Sequence, residues 1–335
     1  MTFDISSDGG AILNASASDL EHMMTLAFES RINTFGRNLT CYSPTAYPYK
    51  IRDHQHTSSH TFTSLSITGT SCALGCEHCK GRLLKGMEST TSPETLLERC
   101  RELASRGAKG VLISGGSDAR GHVPLLEFGD AIKEVKDTLD LTVVVHTGLV
   151  DEQTVHILKE ARIDAAMLDI IGDEAVARKV YHIENGPEKM GRSLELLKAN
   201  EVPTVPHVLV GLNYGRPAGE LNALQMISEN SPAAVVIIAL SPVRSTPMAD
   251  VRPPAPELIG RVLTVTRLAL RNTPVLLGCA RPIGQHKIDT DKYAISSGVN
   301  GVAYVSQEGA DFARSKRLNP IFVDECCSLA FLSLL

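Results

Sequence analysis

Three cysteines near residue 75 are the part of the chain whose spacing points most clearly to chemistry. Cys72, Cys76 and Cys79 form a C-x-x-x-C-x-x-C arrangement within the segment SITGTSCALGCEHCKGRLL at residues 66–84. Three thiolates on one glycine-containing loop can surround one face of a metal centre. A closed zinc site usually has four ligands, whereas an iron–sulfur cluster held by three thiolates keeps one iron open. The spacing therefore favours an iron–sulfur site, with a zinc or redox-sensor site as the alternative.

At these residues the sequence resembles the radical S-adenosylmethionine (SAM) superfamily. The resemblance implies that Cys72, Cys76 and Cys79 bind a 4Fe–4S cluster whose open iron is chelated by the amino and carboxylate groups of SAM. It also implies reductive cleavage of SAM to a 5′-deoxyadenosyl radical. One position departs from the family pattern, because the residue before the third cysteine is usually aromatic and here it is His78. An imidazole can also stack on adenine, so His78 remains a candidate contact of SAM.

The elements that must position this loop alternate along the chain between short strands and amphipathic helices. Strands are predicted at residues 63–68, 110–114, 141–146, 164–171, 204–211, 234–241, 275–281 and 301–306, with helical periodicity between them. Such alternation predicts an α/β fold, most simply a (βα)8 TIM-type barrel. The alternative is an open, doubly wound sheet, but no G-x-G-x-x-G motif opens the first helix. We expect an N-terminal helical extension over residues 1–60, the barrel over 61–310 and a short C-terminal tail over 311–335.

Barrel enzymes carry their chemistry at the carboxyl ends of the strands, so the residues there are candidates to contact SAM. Gly115 and Gly116 follow the second strand and resemble the superfamily's Gly-Gly-Glu motif, although Ser117 replaces the acid. Without the cysteines, such a pair would indicate only a tight turn. Further candidates come from the third, fourth and fifth strands: His146, Asp169, His207 and Gly211. Asp173 is interpreted as the N-cap of the next helix.

Five cysteines lie outside the motif, and they bear on the class of reaction. Cys100 shares a helical stripe with leucines and is predicted to lie in the core. The other four match the number that a second 4Fe–4S cluster needs: Cys41, Cys279, Cys326 and Cys327. Chance or reactive surface thiols are the alternative for the adjacent pair. Arg281 resembles the arginine at the auxiliary cluster of biotin synthase, which would make it a further ligand of the cluster. Alternatively, it could bind a substrate carboxylate.

Nearly the whole chain resembles biotin-synthase-related proteins, most closely one component of the two-protein, archaeal-type lipoyl synthase. The motifs that carry the likeness include LISGGSDARGHVPL, HTGLVD, LDIIGD, VPHVLVGL, LGCARP and GVNGVAYVS. The resemblance implies sulfur insertion into an unactivated C–H bond of a protein-bound octanoyl chain, with an auxiliary cluster as the sulfide source. It implies three partners: an octanoylated lipoyl-carrier protein or domain, a companion lipoyl synthase component, and a reduced ferredoxin- or flavodoxin-type electron donor.

Two other functions stay open at this point. One is a radical SAM enzyme of the biotin-synthase type that acts on a small cofactor precursor without inserting sulfur. The other is a non-catalytic iron–sulfur or zinc-binding module. Iron and sulfide content would separate the three, because two clusters, one cluster and no cluster give very different amounts of iron per chain.

The composition of the chain bears on the partners and on the cellular location that we expect for the protein. The 335 residues carry a net charge of −5, and aromatic residues make up only 4% of the chain, with no tryptophan. Such a surface predicts binding neither to nucleic acid nor to an anionic membrane. No apolar run approaches the length of a membrane span, and the first residues lack the pattern of a secretory signal. We therefore expect a cytoplasmic enzyme whose cysteines serve metal sites rather than disulfides.

Overall fold

A computed structural model describes residues 3–333 and arranges them around one parallel β-sheet. Its strands are β1 (Asn38–Tyr42), β2 (Phe62–Ser66), β3 (Glu88–Ser89), β4 (Gly110–Ser114), β5 (Thr142–His146), β6 (Ala165–Asp169), β7 (Thr204–Val210), β8 (Val235–Ala239), β9 (Val275–Leu277), β10 (Gly301–Ala303) and β11 (Asn319–Val323). Every pair of neighbouring strands runs parallel, so all the carboxyl ends meet at one edge of the sheet.

Most of the helices connect the strands and pack on the outer face of the sheet, whereas the last one lies on the inner side. They are α1 (Ser7–Leu13), α2 (Ala17–Phe35), α3 (Pro93–Ser105), α4 (Gly129–Thr138), α5 (Glu152–Glu160), α6 (Glu174–Val176), α7 (Gly186–Ala199), α8 (Glu220–Ser228), α9 (Pro256–Ala269), α10 (Gln285–Ser296), α11 (Gln307–Ser315) and α12 (Ala330–Ser333). Short 3₁₀ turns lie at Arg82–Gly86, Leu126–Phe128 and Cys327–Leu329, and a π turn lies at Ala177–Tyr181. Within residues 3–333, none of the helices has both the length and the apolar character needed to cross a membrane.

The strand order corrects the predicted (βα)8 barrel. All eight predicted strands are present, as β2 and β4 to β10, and they are neighbours in chain order. Three further strands extend the sheet: β3 beside β2 at one edge, and β1 and β11 beyond β10 at the other. No register joins the edge strands β3 and β11 among the described residues. The fold is therefore α/β with a curled, open parallel sheet of eleven strands, and the predicted extension and tail each contribute one of them.

Alternation along the strands gives the sheet two apolar faces. In β8, for example, Val236 and Ile238 belong to the inner cluster of buried side chains, whereas Val235 and Ile237 belong to the outer one under the helices. Side chains alternate between the faces because the strand repeat is two residues. Strands covered on both faces need continuous apolar runs, which explains the sequence VVIIA. The inner face also includes Met167 of β6.

Both chain ends are fixed to this sheet. Arg31 of α2 is fully buried and donates hydrogen bonds to the carbonyls of Val299, at 3.2 Å, and of Gly36 and Asn38, which ties the N-terminal helices to the sheet. At the other end the chain leaves β11 and enters the space enclosed by the curl. There the Ser328 hydroxyl donates to the sulfur of Met167 at 2.7 Å, and Leu329 joins the inner cluster. We call residues 324–333 the tail segment.

Candidate active site

The loop that carries Cys72, Cys76 and Cys79 follows β2 and lies at the carboxyl edge of the sheet. We call it the cysteine loop. The backbone amides of Cys79 and Lys80 both donate to the carbonyl of Cys76, at 3.2 and 2.8 Å. This tight turn brings the ligand atoms of Cys76, His78 and Cys79 within 4.8 Å of one another. The third thiol is nearby, because the charge of Cys72 contributes to raising the pKa of Cys76. The structure thus brings Cys76 and Cys79 together and places Cys72 near them, although outside the group of ligand atoms within 4.8 Å.

Two thiols of the loop, Cys76 and Cys79, have very different pKa values. The hydrogen bond between their side chains raises the pKa of Cys76 and lowers that of Cys79 to about 4. A hydrogen bond from His78 lowers the pKa of Cys79 further. A thiolate is the form that binds metal, so Cys79 is prepared as a ligand. Three soft sulfur donors on one turn are the donor set that an iron–sulfur cluster takes, and the residues present fit that group.

Gly116 packs the end of β4 against this loop. A methyl group built on Gly116 would lie 1.9 Å from the carbonyl oxygen of Ser71 and 2.6 Å from the Cα of Cys72. At Gly115 the nearest atoms are 3.0 Å away and belong to the side chain of Thr68. The Thr68 hydroxyl also accepts a hydrogen bond from the amide of Gly116 at 2.6 Å. Close approach to the cysteine loop therefore requires glycine at position 116 rather than at position 115.

Two imidazoles and one carboxylate converge on the inner face beside the loop. Ligand atoms of His146, Asp169 and His207 lie within 4.8 Å of one another. The carboxylate of Asp169 accepts a hydrogen bond from the Tyr181 hydroxyl at 2.8 Å and lies 3.7 Å from Nε2 of His146. The ring of Tyr181 stacks on His78, with 5.2 Å between centroids. This polar group, His146, Asp169, His207 and Tyr181, connects the inner face to the cysteine loop.

The electrostatics of the polar group fix its charge at neutral pH. Burial alone would raise the pKa of Asp169, but the two imidazoles and the Tyr181 hydroxyl outweigh burial and lower it. Burial and the charge of His146 lower the pKa of His207 to about 4. The group therefore holds an ionised carboxylate beside a neutral His207, with one buried ring nitrogen, Nδ1 of His207, lacking a hydrogen-bond partner among the described residues. Carboxylate and imidazole can bind hydroxyl and amino groups of a ligand, or a metal ion.

The tail segment brings a second set of thiols to the same edge. Cys279 follows β9, and Cys326 and Cys327 begin the turn of the tail segment. Burial and the charge of Cys326 raise the pKa of Cys279. A hydrogen bond between the adjacent cysteines lowers the pKa of Cys326 to about 7 and raises that of Cys327. Each of these thiols thus has its pKa changed by another one. We call Cys279, Cys326 and Cys327 the tail thiols. Solvent still reaches Cys279.

Two tyrosines lie over the tail thiols. The charge of Cys279 adds to burial in raising the pKa of Tyr47 and Tyr304, and both cysteines of the tail segment contribute at Tyr304. The rings of the two tyrosines meet edge to face, with 6.1 Å between centroids. The Tyr304 hydroxyl donates to the carbonyl of Pro44 at 2.5 Å. The segment between β1 and β2 is thereby held near the tail thiols through Tyr304.

The polar group lies near both sets of thiols. The pKa of Cys76 is raised chiefly by the hydrogen bond with Cys79 and by burial, and the charge of Asp169 adds to the rise. The pKa of Cys326 is lowered chiefly by the hydrogen bond with Cys327, and the charge of His146 adds to that effect. Such effects fall off with distance, so a ligand in contact with His146 would lie near both sets of thiols.

Cys41, one predicted member of the second metal site, is not brought to the tail thiols. It lies in β1 next to Tyr42, and the alternation of side chains turns Tyr42 inward and Cys41 outward, into the core under the helices. Arg281 lies near Cys279, since its charge opposes the rise that burial and the charge of Cys326 cause in the pKa of that thiol. Its buried guanidinium donates to the carboxylate of Asp291 at 2.8 Å and to the carbonyl of Gly278 at 2.6 Å, while its Nε has no hydrogen-bond partner in the part of the chain that the structure describes.

The structure also shows the surroundings of three residues with roles predicted from the sequence, Gly211, Cys100 and Asp173. Gly211 ends β7 with φ +77°, and a methyl group there would lie 2.8 Å from Pro254, so a turn and a close contact account for it. Cys100 is fully buried in the core, as predicted. Asp173 accepts a hydrogen bond from the amide of Val176 as the N-cap of α6, which confirms that interpretation. The part of the site that the sequence did not reveal is aromatic, namely Tyr47, Tyr181 and Tyr304.

Comparison with known proteins connects this site to a family. The model of the radical SAM superfamily matches residues 66–215, from the end of β2 to the loop after β7. Biotin synthases from Flavobacterium psychrophilum and Christiangramia forsetii are each 24% identical to this chain, over 224 and 235 residues. These matches cover 65% and 68% of this chain, and 62% and 64% of the two relatives. The match therefore spans just under two thirds of the length of these curated relatives.

Solved structures share the fold at low sequence identity. The crystal structure of methylornithine synthase (PylB) has a TM-score of 0.66 and 16% identity, and the match covers 100% of this chain and 97% of that one. The structure of HydG, a maturase of the FeFe-hydrogenase, has a TM-score of 0.64 and 15% identity, and the match covers 88% of this chain and 63% of that one. At these identities the likeness concerns the fold alone.

Proposed function

We propose a specific reaction for the protein from the match of residues 66–215 to the radical SAM superfamily and from its distant homologues among biotin synthases. It inserts sulfur into an unactivated C–H bond of a protein-bound octanoyl chain, as one component of a lipoyl synthase. The observation that carries the proposal is the second set of thiols, Cys279, Cys326 and Cys327, which lies near the same polar group as the cysteine loop.

The cysteine loop is the site for the cluster that the superfamily implies. Cys72, Cys76 and Cys79 would hold a 4Fe–4S cluster, and their number leaves one iron for SAM. When bound there, the cluster and SAM would supply a 5′-deoxyadenosyl radical that abstracts a hydrogen atom from the substrate. The protein's own part is to hold the loop in position through Gly116 and to keep Cys79 as a thiolate through His78.

The neighbouring polar residues would orient SAM and the substrate. Asp169 is ionised and fixed by Tyr181, so it can accept hydrogen bonds from ribose hydroxyls or from an amino group. His146, His207 and His78 supply imidazole edges and faces beside it. The amide of Gly116 already donates to Thr68, so the carbonyls of Gly115 and Gly116 are the backbone groups that could accept a hydrogen bond from the amino group of SAM.

The tail thiols support sulfur insertion because they would place a sulfide source near the carbon radical. Three thiols, one of them with a pKa of about 7, can hold an auxiliary iron–sulfur cluster. The tyrosines near them, Tyr47 and Tyr304, would line one side of such a cluster, and Cys279 stays open to solvent. The reaction also needs a source of electrons, a carrier for the octanoyl chain and, by resemblance, a companion lipoyl synthase component. We propose these three as partners.

A second candidate is supported by the polar character of the inner face. Around His146 and His207 the wall offers imidazole and carboxylate groups, while Leu329 and Ala330 of the tail segment fill apolar space below them. An octanoyl chain would gain little from polar walls, because burying apolar surface against apolar surface is what stabilises it. This observation favours a radical SAM enzyme of the biotin-synthase type that acts on a small, polar cofactor precursor without inserting sulfur.

Replacement of the tail thiols separates these two functions. In the variant Cys279→Ala/Cys326→Ala/Cys327→Ala, we expect iron to fall from roughly eight to roughly four atoms per chain. SAM cleavage should continue, but an octanoylated carrier peptide should lose hydrogen without gaining sulfur in a single-turnover mass-spectrometric assay with the companion protein present. Cys100→Ala is the matched control, since that thiol lies in the core. Sulfur insertion at the wild-type rate by the triple variant would exclude the tail thiols as the sulfide source.

A further inference from the structure

A polar contact joins the segment between β1 and β2 to the start of the tail segment. The side chain of Asp324, the first residue of the tail segment, is only 14% exposed. Its Oδ1 atom accepts a hydrogen bond from the Ser43 hydroxyl at 2.8 Å and lies 2.8 Å from Nε2 of His54. Nε2 of His56 lies 3.6 Å from the same oxygen. We call these four residues, Ser43, His54, His56 and Asp324, the carboxylate clamp.

The groups around the carboxylate are themselves held in place. Nε2 of His56 lies 2.7 Å from the carbonyl oxygen of Ser43, to which it can donate a hydrogen bond. The ring of His54 stacks on Phe322 of β11, with 5.2 Å between centroids and 10° between planes. The amide of Ser43 donates to the carbonyl of Val323 at 2.9 Å, which continues the pairing of β1 with β11 by one residue. A network whose members are bonded in this way makes its surroundings rigid.

The carboxylate clamp lies close to two of the tail thiols along the chain. Cys326 and Cys327 follow Asp324 by two and three residues. Beyond these thiols, Leu329 and Ala330 pack into the inner cluster of buried side chains. The tail segment is therefore held by a polar contact before its thiols and by apolar contacts after them.

The direction in which the chain leaves β11 decides whether its thiols can meet Cys279. Cys279 follows β9, and both β1 and β10 lie between β9 and β11 in the sheet. Cys326 nevertheless lies near Cys279, because burial and the charge of Cys326 together raise the pKa of Cys279. The three partners of Asp324 all follow β1, which adjoins β11 on the side of β9. The carboxylate clamp thus draws the chain toward Cys279.

We propose that Asp324 is a positioning residue for the tail thiols: held by the carboxylate clamp, it directs the tail segment so that Cys326 and Cys327 meet Cys279. The inference rests on the proposed function only in what those thiols bind. Their placement is a property of the chain without metal, so it can be measured on the apoprotein. All three contacts of the Asp324 carboxylate reach Oδ1. An asparagine carbonyl oxygen could take the place of that atom, whereas an alanine methyl group could not.

The test measures how fast iodoacetamide alkylates individual thiols of the reduced apoprotein, by mass spectrometry. Cys327 is only 6% exposed, so its alkylation requires the tail segment to open locally. We expect Asp324→Ala to raise the alkylation rate of Cys327 at least about fivefold, and Asp324→Asn to stay within about twofold of the wild type. This rescue by the asparagine variant would show that the oxygen atom, rather than the charge, holds the tail segment.

Glu325→Ala is the matched control for Asp324→Ala. It removes a carboxylate one residue closer to the thiols and changes the net charge equally, from −5 to −4. Glu325 has no hydrogen bond or ion pair within residues 3–333, so its replacement should leave the alkylation of Cys327 unchanged. Cys100 is fully buried in the core and should stay unlabelled in every variant that folds.

The variant His54→Phe tests the same contact from its other side. Phenylalanine keeps a ring that can stack on Phe322 but lacks Nε2, while the Ser43 hydroxyl remains bonded to Asp324. We expect the alkylation rate of Cys327 to rise at least about threefold, with no further rise when His54→Phe is added to Asp324→Ala. Additive effects would mean that the two side chains act separately and would overturn the clamp. If labelling of Cys100 showed that Asp324→Ala does not fold, an unchanged rate in His54→Phe would overturn it.

The outcomes distinguish this proposal from the proposed function. Equal alkylation of Cys327 in Asp324→Ala and Glu325→Ala, with Cys100 protected in both, would refute the positioning role, whatever the thiols bind. Iron content after anaerobic reconstitution addresses the proposed function. If the tail thiols hold a cluster, Asp324→Ala should lose roughly half of the iron of the wild type and still cleave SAM. Roughly four iron atoms per chain in the wild type and in each variant would refute the second cluster and leave the alkylation result valid.

Discussion

Replacing Gly116 with alanine should remove the iron held by the cysteine loop, whereas the same change at Gly115 should not. Alanine is conformationally allowed at both positions, since neither glycine has a positive φ. The added methyl group differs only in what it meets. At position 116 it would lie 1.9 Å from the backbone oxygen of Ser71 and 2.6 Å from Cα of Cys72, whereas at position 115 it would meet side-chain atoms of Thr68 at 3.0 Å.

The size of the effect follows from these distances. A methyl carbon rarely approaches another atom closer than about 3 Å, so Gly116→Ala must move the backbone of the cysteine loop by about 1 Å. Metal–ligand distances tolerate only about 0.2 Å. The displacement of Cys72 therefore exceeds the tolerance several-fold. We expect a cost of about 1–3 kcal/mol in the free energy of unfolding and a loss of roughly 100-fold in SAM cleavage, as for an active-site group misplaced by 1 Å.

The assay compares the two alanine variants after identical anaerobic reconstitution. Iron per chain, formation of 5′-deoxyadenosine and the unfolding midpoint in urea are measured for each. Gly115→Ala controls for loss of glycine at the same strand end. The reasoning would be refuted if Gly116→Ala retained the iron content and deoxyadenosine formation of the wild type, because the cysteine loop could then not be packed on Gly116.

Three further predictions concern the residues around the loop. Asp169→Asn should weaken SAM binding roughly 10- to 100-fold in calorimetry, since it removes a charged acceptor, and an unchanged affinity would place SAM elsewhere. Because His207 titrates at about 4 when folded but near 6.5 when unfolded, lowering the pH from 6.5 to 4 should cost at most about 3 kcal/mol of stability. In urea titrations of His207→Gln, this contribution to the fall in the free energy of unfolding between pH 6.5 and pH 4 should be absent. Arg281→Met removes the cation at 2.8 Å from buried Asp291 and leaves Lys287 at 3.7 Å and the amide of Ser306 at 2.6 Å. It should cost about 1.5–3 kcal/mol in the free energy of unfolding without loss of iron, and iron loss at full stability would contradict this.

The alternating strands and helices could be predicted from the sequence, because each of them has a local pattern of apolar residues. The strand predicted at residues 110–114 coincides with Gly110–Ser114, and each of the other seven predicted strands overlaps an observed one. Continuous apolar runs such as VVIIA are typical of strands covered on both faces. The cysteine loop could be predicted for a similar reason, since its ligands are close in sequence and a single tight turn is enough to bring them together.

The edges of the sheet could not be predicted in the same way. β1 and β11 each have five residues and pair with each other, although 281 positions separate Asn38 from its partner Asn319. Neither strand is part of a regular strand–helix alternation, so no local pattern distinguishes it from an irregular segment. Adding these strands opens the expected closed barrel into a longer curled sheet, because the last core strand, β10, pairs with β1 rather than with β2.

The position of Cys41 shows why counting cysteines is not enough to predict a metal site. Four cysteines were predicted to hold a second cluster, yet only Cys279, Cys326 and Cys327 are close enough to change one another's pKa. In β1, neighbouring side chains point to opposite faces, so with Tyr42 on the inner face Cys41 must lie on the outer one. Cys326 and Cys327 lie in a turn, where adjacent side chains can share one side. The sequence gives the number of cysteines but not the face of the sheet on which each one lies.

The position of the tail segment bears directly on the choice between the two candidate functions. Leu329 and Ala330 occupy apolar space on the inner face, and Cys326 and Cys327 lie just before them in the chain. In either proposal the substrate would lie near the polar group and near Tyr47, which is 53% exposed. A small polar precursor can be held there by His146 and Asp169. An octanoyl chain would instead need its apolar surface covered by the rings of Tyr47 and Tyr304, so its binding depends on the segment between β1 and β2 closing over the site.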